Sequence, residues 1–292
     1  MTSPPAFLRE ATAAFGVQDF ETCRTLALQG LQAQPADLDL LRLAGLSSLE
    51  LGRDDAVLHL SALVARTPQD PGALLHLGHA HAARGHADEA ADVFAKVLQI
   101  TPDDVGVALE FAYAAHAAGR TQEAVSVLER ASNLDGVTAP LLRSLASLAE
   151  AVGQLPLALG AASRVAVNDP KDVDTALNVA ELNLALGHYV SAATAFARLR
   201  SMDLEDGHET YACHGQVEAL IRAERWRDAL DAAIAATSVD RHSLTTDLLA
   251  FVSVALFGPG EQRVAPQWPE LETRLQAQRA MHRRLHAERW AS

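Results

Sequence analysis

The chain has 292 residues, 49% of them hydrophobic, two cysteines and a formal net charge of −13. That length supports one large or two modest domains without disulfide staples, and the acidity excludes a general nucleic-acid binder, which needs a basic stripe against phosphates. The longest apolar run, residues 248–257, is about half of the ~20 residues that a spanning helix requires, so no membrane insertion is expected.

From the N-terminus, MTSPPAFLREATAAFG shows neither a basic start followed by an apolar run nor a lipidation pattern. Export is unsupported and a cytoplasmic location is expected. Cys23 and Cys213, 190 residues apart, read as small packed residues rather than a disulfide framework. Charge is uneven: residues 261–292 carry six Arg against four Glu, which leaves −15 for residues 1–260.

Three ladders of residues then keep one period. Gly52, Gly85, Gly119, Gly153 and Gly187 are spaced by 33, 34, 34 and 34 residues, and Ala56, Ala90, Ala124, Ala158 and Ala192 by 34 each. Pro35, Pro68, Pro102, Gly136 and Pro170 follow at 33, 34, 34 and 34. Between the markers, apolar residues recur at three and four, as in Leu74, Leu77, Ala80 and His81 and then Ala90, Val93, Phe94 and Val97. That spacing predicts two amphipathic helices per unit. The glycine ends the first helix in a left-handed turn, the alanine lets two backbones approach, and the proline prevents the second helix from continuing. Units are read at 4–37, 38–70, 71–104, 105–138, 139–172, 173–206 and about 210–243.

Departures mark the edges. The second unit lacks one residue between Gly52 and Ala56, which predicts a tighter turn between its helices. The first unit has Gln18 and Cys23 at the glycine and alanine positions, the seventh has Glu224 and Arg241 at those of glycine and proline, and the insertion DLEDGHE (203–209) loosens the register of its first helix. Residues 245–257 predict the first helix of a partial eighth unit, 258–268 a Gly- and Pro-rich loop, and 269–290 a final helix. Leu271, Leu275, Met281 and Leu285 share one side of that helix, which is therefore expected to cap the apolar end of the array with its arginines mostly outward.

The unit 71–104, with Leu74, Leu77-Gly78, His81, Gly85, Ala90, Phe94, Val97 and Pro102, resembles the tetratricopeptide repeat family. The resemblance implies an all-α fold, a right-handed superhelical α-solenoid of helix-turn-helix repeats, that binds protein segments in a concave groove. In the family, groove side chains come mainly from positions 5, 9 and 12 of each first helix. Carried onto this chain, position 5 gives Leu8, Arg42, Leu75, Leu109, Arg143, Leu177 and His214. Position 9 gives Thr12, Leu46, His79, Tyr113, Ser147, Glu181 and Glu218, and position 12 gives Phe15, Leu49, Ala82, His116, Glu150, Leu184 and Ile221. An apolar floor of Leu46, Leu75, Leu109 and Tyr113 is expected between Arg42 and Arg143, turning acidic toward Glu181 and Glu218; alternatively, those leucines pack against neighbouring helices. The Lys and Asn pattern with which some family members clamp a C-terminal carboxylate is missing, so an apolar or amphipathic partner segment is expected.

The stretch HLGHAHAARGH holds four histidines on different faces: His76 and His79 together, His81 nearly opposite, and His86 in the turn. Zinc needs three or four converging ligands, so the weak metal candidates reduce to His79 with His116; otherwise His81 fills the aromatic slot of the repeat and the others are solvated. No phosphate loop, nucleophile elbow, His-Glu-x-x-His or Cys-x-x-Cys motif is present. A non-enzymatic adaptor, scaffold or assembly factor that binds another protein without a cofactor is expected. The alternatives are a structural subunit of a larger complex, held through the convex face or the ends, and a metal-binding or regulatory protein.

Overall fold

The computed structural model describes residues 4–202, 204, 206–239, 243–257 and 267–290, and among them every regular element is a helix, sixteen in all. The chain divides into two compact units, residues 1–154 and 155–292. The first contains α1 (Pro4–Gly16), α2 (Phe20–Ala33), α3 (Leu38–Glu50), α4 (Ala56–Val64), α5 (Pro71–Ala83), α6 (Ala87–Ile100), α7 (Val105–Ala117), α8 (Thr121–Ser132) and α9 (Ala139–Ala151). The second contains α10 (Leu155–Asn168), α11 (Val173–Ala185), α12 (Tyr189–Leu199), α13 (Asp206–Arg222), α14 (Trp226–Val239), α15 (Ser243–Phe257) and α16 (Trp268–Trp290). Within each unit, helices adjacent in sequence pack on each other, and first helices of successive hairpins also meet: α1 with α3, α3 with α5, α11 with α13 and α13 with α15. The fold is an all-α repeat fold.

One hydrogen bond closes every hairpin turn. The amide three residues past the end of the first helix donates to a carbonyl five residues back: Asp19 to Ala14, Arg53 to Ser48, His86 to His81, Arg120 to Ala115, Gln154 to Ala149, His188 to Asn183 and Arg225 to Leu220, at 2.7–3.0 Å. This is the Schellman arrangement, which requires a left-handed residue just before the donor. Gly52, Gly85, Gly119, Gly153 and Gly187 supply it with φ between +62° and +79°. At the drifted edges Gln18 (φ +60°) and Glu224 (φ +57°) hold the same conformation with a side chain attached.

The connection between hairpins carries a second signal beside the proline. Two residues after Pro35, Pro68, Pro102 and Pro170 stands an aspartate whose carboxylate caps the next helix. Asp37 accepts from the Leu40 amide at 2.9 Å, Asp70 from Gly72 and Ala73 at 2.9 and 3.2 Å, Asp104 from Val107 at 3.1 Å and Asp172 from Thr175 at 3.1 Å. Each such cap is worth ~1 kcal/mol.

Glycines inside the first helices accept large side chains. A Cβ on Gly45 would lie 2.6 Å from Leu60, on Gly78 2.5 Å from the Phe94 ring, and on Gly215 2.5 Å from the Phe196 ring. Leu60, Phe94 and Phe196 are fully buried there.

One expectation changes. The residue missing between Gly52 and Ala56 does not tighten the turn: five residues, 51–55, separate α3 from α4, against three between α5 and α6, and α4 shortens to nine residues. The deletion removes the first turn of the helix, because the Schellman bond at Arg53 keeps the glycine turn intact. The insertion before the seventh repeat, which left the register of the first helix open by about three residues, goes with an α13 of seventeen residues. Residue Arg241, most of the anticipated loop at 258–268, and the side chain of Leu285 lie outside the described residues.

Two stability outcomes follow, both read by urea unfolding of the full chain. Gln18→Gly and Glu224→Gly relieve the left-handed strain and are expected to stabilise by up to ~1 kcal/mol each, the strain of ~1–2 kcal/mol being partly offset by the flexibility of glycine in the unfolded chain. Gly78→Ala is expected to destabilise by ~1–3 kcal/mol through overpacking, with Phe94→Leu recovering part of the loss.

Candidate partner-binding face

The first unit places five of the family-derived residues on accessible parts of its first helices. Arg42 on α3 is 38% exposed and donates to Asp70, the cap of α5, at 2.9 Å. Leu46 on α3 and Leu75 on α5 are half-buried. Tyr113 on α7 is 54% exposed, the most open aromatic of the set, and Arg143 on α9 is exposed.

His79 on α5 stands between two helices. Its Nε2 lies 3.6 Å from Glu110 of α7, and its ring meets Phe94 edge-on at 5.5 Å. The neighbouring His79 imidazole holds the Glu110 carboxyl below its ordinary range, against the opposing effect of burial. Glu110 was absent from the family-derived set. It precedes Tyr113 by three residues, so the two share a side of α7, and that spacing was available in the sequence. Arg42–Asp70 and His79–Glu110 thus link α3, α5 and α7 in a polar chain between successive repeats.

Seven residues of the expected ladders are not accessible, among them Leu184, His214, Glu218 and Ile221 of the second unit. Leu109, Leu177 and Glu181 are 6%, 7% and 9% exposed. Leu109 packs as core in α7, and Leu177 belongs to the apolar cluster of the second unit. Glu181 accepts a hydrogen bond from the Tyr211 hydroxyl of α13. First helices of neighbouring hairpins meet closely enough to enclose these positions, so the floor of the first unit is narrower and more polar than the leucine ladder implied.

The histidine stretch divides as its helix geometry requires. His81 and His86 approach to 5.8 Å across the turn, away from His79. His116 is half-buried on α7, and its Nδ1 has no hydrogen-bond partner among the described residues. Among those residues no three His, Cys, Asp or Glu side chains converge as metal ligands. Cys23 and Cys213 are buried, and burial pushes both thiols up, away from the reactive thiolate.

In the second unit, the corresponding face of α13 meets α16. His214 Nδ1 lies 2.9 Å from Gln278 Oε1 and its Nε2 2.7 Å from the Thr245 hydroxyl. Glu218, 1% exposed at its side chain, accepts from Arg222 at 3.1 Å and from Arg279, and Arg274 pairs with Asp247 of α15. The expected outward arginines therefore fail at Arg279, which the buried carboxylate of Glu218 on α13 draws inward, whereas Arg274 pairs with Asp247 of α15 at the surface. On the expected apolar side of α16, Leu271 and Leu275 are buried, whereas Met281 is 61% exposed.

Paired helices in repeated register, carrying rows of side chains on their first members, define a helical-repeat protein. Two family models, both described as tetratricopeptide repeat, match residues 53–105 and 81–148. The chain thus carries tetratricopeptide repeats, matched over residues 53–148. Similar solved structures include a tetratricopeptide repeat protein from Parabacteroides merdae, 11% identical over 85% of this chain and 98% of that one, with a TM-score of 0.52. A thermophilic TPR protein from Thermus thermophilus is 24% identical over 62% of this chain and 100% of its own (TM-score 0.42). YrrB, a TPR protein with an unusual peptide-binding site, is 15% identical over 64% and 94% (TM-score 0.47). No curated protein matches the sequence. Among the described residues no helix is long and apolar enough to cross a membrane.

Burial lowers the pKa of His59, His76 and His81, for His59 against the opposing pull of Asp55. The unfolded chain then takes up protons first as pH falls below about 6.5, so folding stability is retained above that value and lost as pH drops toward the folded pKa values. The melting temperature is expected to be lower at pH 5.5 than at pH 7.5, and combining His59→Gln, His76→Gln and His81→Gln is expected to shrink that difference.

Proposed function

We propose that the chain is a non-enzymatic adaptor, scaffold or assembly factor whose first unit holds a segment of another protein across the accessible side of α3, α5, α7 and α9. Tetratricopeptide repeat proteins generally mediate protein–protein interaction and complex assembly. The observation that carries the reading is Tyr113, 54% exposed, on the same side of α7 as the His79–Glu110 pair. A tyrosine in that setting offers a large apolar area and a hydroxyl at small entropic cost, the profile of an interface anchor. Leu46 and Leu75 add half-buried apolar surface, and Arg42 and Arg143 favour acidic residues at the ends of the segment. The ligand is an apolar or amphipathic segment, met in the cytoplasm.

A second reading, a structural subunit of a larger complex, is favoured by Leu58, Val190 and Ile234, which are 66%, 54% and 52% exposed on the second helices α4, α12 and α14. Affinity capture of the tagged full chain from its native source, with the recovered partner quantified, separates the two. Tyr113→Ala and Leu75→Glu are each expected to reduce recovery by at least about tenfold while leaving the melting curve intact, and Leu58→Ser is expected to leave recovery unchanged. Full recovery with both face variants and loss with Leu58→Ser would place the interface on the second helices.

A further inference from the structure

The last helix does not continue the array. Within each unit a second helix packs on the first helix of its own hairpin and on that of the next, as α6 does on α5 and α7, and α12 on α11 and α13. Helix α16 follows a first helix, α15, yet reaches back past it to α13.

Its contacts lie along one stripe of α13. Arg222 pairs with Glu272 at 2.6 Å, Glu218 with Arg279, His214 with Gln278, and Tyr211 stacks on His282 with ring centroids 4.2 Å apart. Positions 211, 214, 218 and 222 are separated by three or four residues and so share a side of the helix. His214 and Glu218 are the fifth and ninth positions of the seventh repeat, the positions at which the corresponding helices of the first unit carry Arg42, Leu46, Leu75, His79 and Tyr113.

This contact joins charge recognition to core packing, since Leu271 and Leu275 belong to the apolar cluster of the unit. A carboxylate 1% exposed at Glu218 sits between two guanidinium groups, Arg222 and Arg279, and Arg222 also lies 5.6 Å from the Trp268 ring centroid. Buried ion pairs add little net stability, because desolvation offsets their attraction, but they discriminate strongly between partners that can and cannot supply the matching charge. Apolar anchoring by α16 comes from Leu271 and Leu275, both buried, while Met281 stands in solvent.

We infer that α16 is a built-in occupant of the binding face of the seventh repeat, and that this face, once vacated, takes an amphipathic helix of a partner protein bearing arginine where α16 bears Arg274 and Arg279. Asp247 and Glu218 are the acceptors that select those arginines. A tethered helix competes at a high effective concentration, so the face is closed to partners until α16 leaves. This inference concerns the second unit and stands apart from the proposal for the first.

The test uses a fluorescein-labelled synthetic peptide of residues 267–290 and the full chain, with binding followed by anisotropy. The chain carrying Arg274→Ala and Arg279→Ala on its own helix is expected to bind the peptide at least tenfold more tightly than the unaltered chain, and a peptide carrying the same two substitutions is expected to bind neither. Equal affinity for both chains, or no binding to a variant that keeps its helical signal, overturns the inference. Native-state hydrogen exchange of the unaltered chain decides independently, including where the variant does not fold. Amides of α16 are expected to exchange at least tenfold faster than those of α11 and α13, and exchange of all three only by one common unfolding event overturns the inference.

Discussion

The repeats depend on one steric condition, a close approach between helices at a point where one backbone carries no side chain. Gly45 admits Leu60, Gly78 admits Phe94 and Gly215 admits Phe196 at distances where a Cβ would collide. Overpacking such a site costs ~1–3 kcal/mol, more than a helix cap at ~1 kcal/mol or an exposed ion pair at ~0–1 kcal/mol. The bulky residue is thereby seated to within a side chain's width, and with it the rotation of the first helix about its axis. That rotation decides which residues are enclosed and which are offered to solvent.

The turns and caps act within this frame. The Schellman bond and its left-handed residue set where the first helix stops, and the aspartate after each proline sets where the next one starts. Ion pairs between repeats, such as Arg53–Glu21 and Arg120–Asp92, join a turn to the preceding second helix. They are exposed and contribute less than the steric fit. In the second repeat, the loss of one residue is absorbed by α4, which gives up its first turn while the glycine turn is retained.

Much of the architecture was legible because it rests on local rules. Gly85, Ala90 and Pro102 each mark a turn, a close contact or a stop that follows from backbone sterics alone, and their spacing located the helices. The aspartate caps were equally local, standing two residues after the prolines, and only the proline half of that signal was read. The binding face was harder to read. Arg42, Leu75 and Tyr113 remain accessible at positions implied by the family pattern, but Leu109, Leu177 and Glu181, from the same ladders, are enclosed. A ladder specifies a side of one helix, whereas accessibility depends on how near the next helix lies. Glu110 entered the face through its contact with His79, which joins residues 31 positions apart.

The C-terminal helix shows the same division. Its start beside Pro269 and its buried Leu271 and Leu275 follow from sequence periodicity. Its path across α13, and the inward turn of Arg279 toward the buried Glu218, do not. The sequence alone determined the period, the hairpins and their turns, since these follow from backbone conformation and from side chains a few residues apart. Only the tertiary structure decided which groove positions stay open and which are filled by the chain itself. Those outcomes turn on distances between helices far apart in sequence, and on the balance between solvating a charge and pairing it.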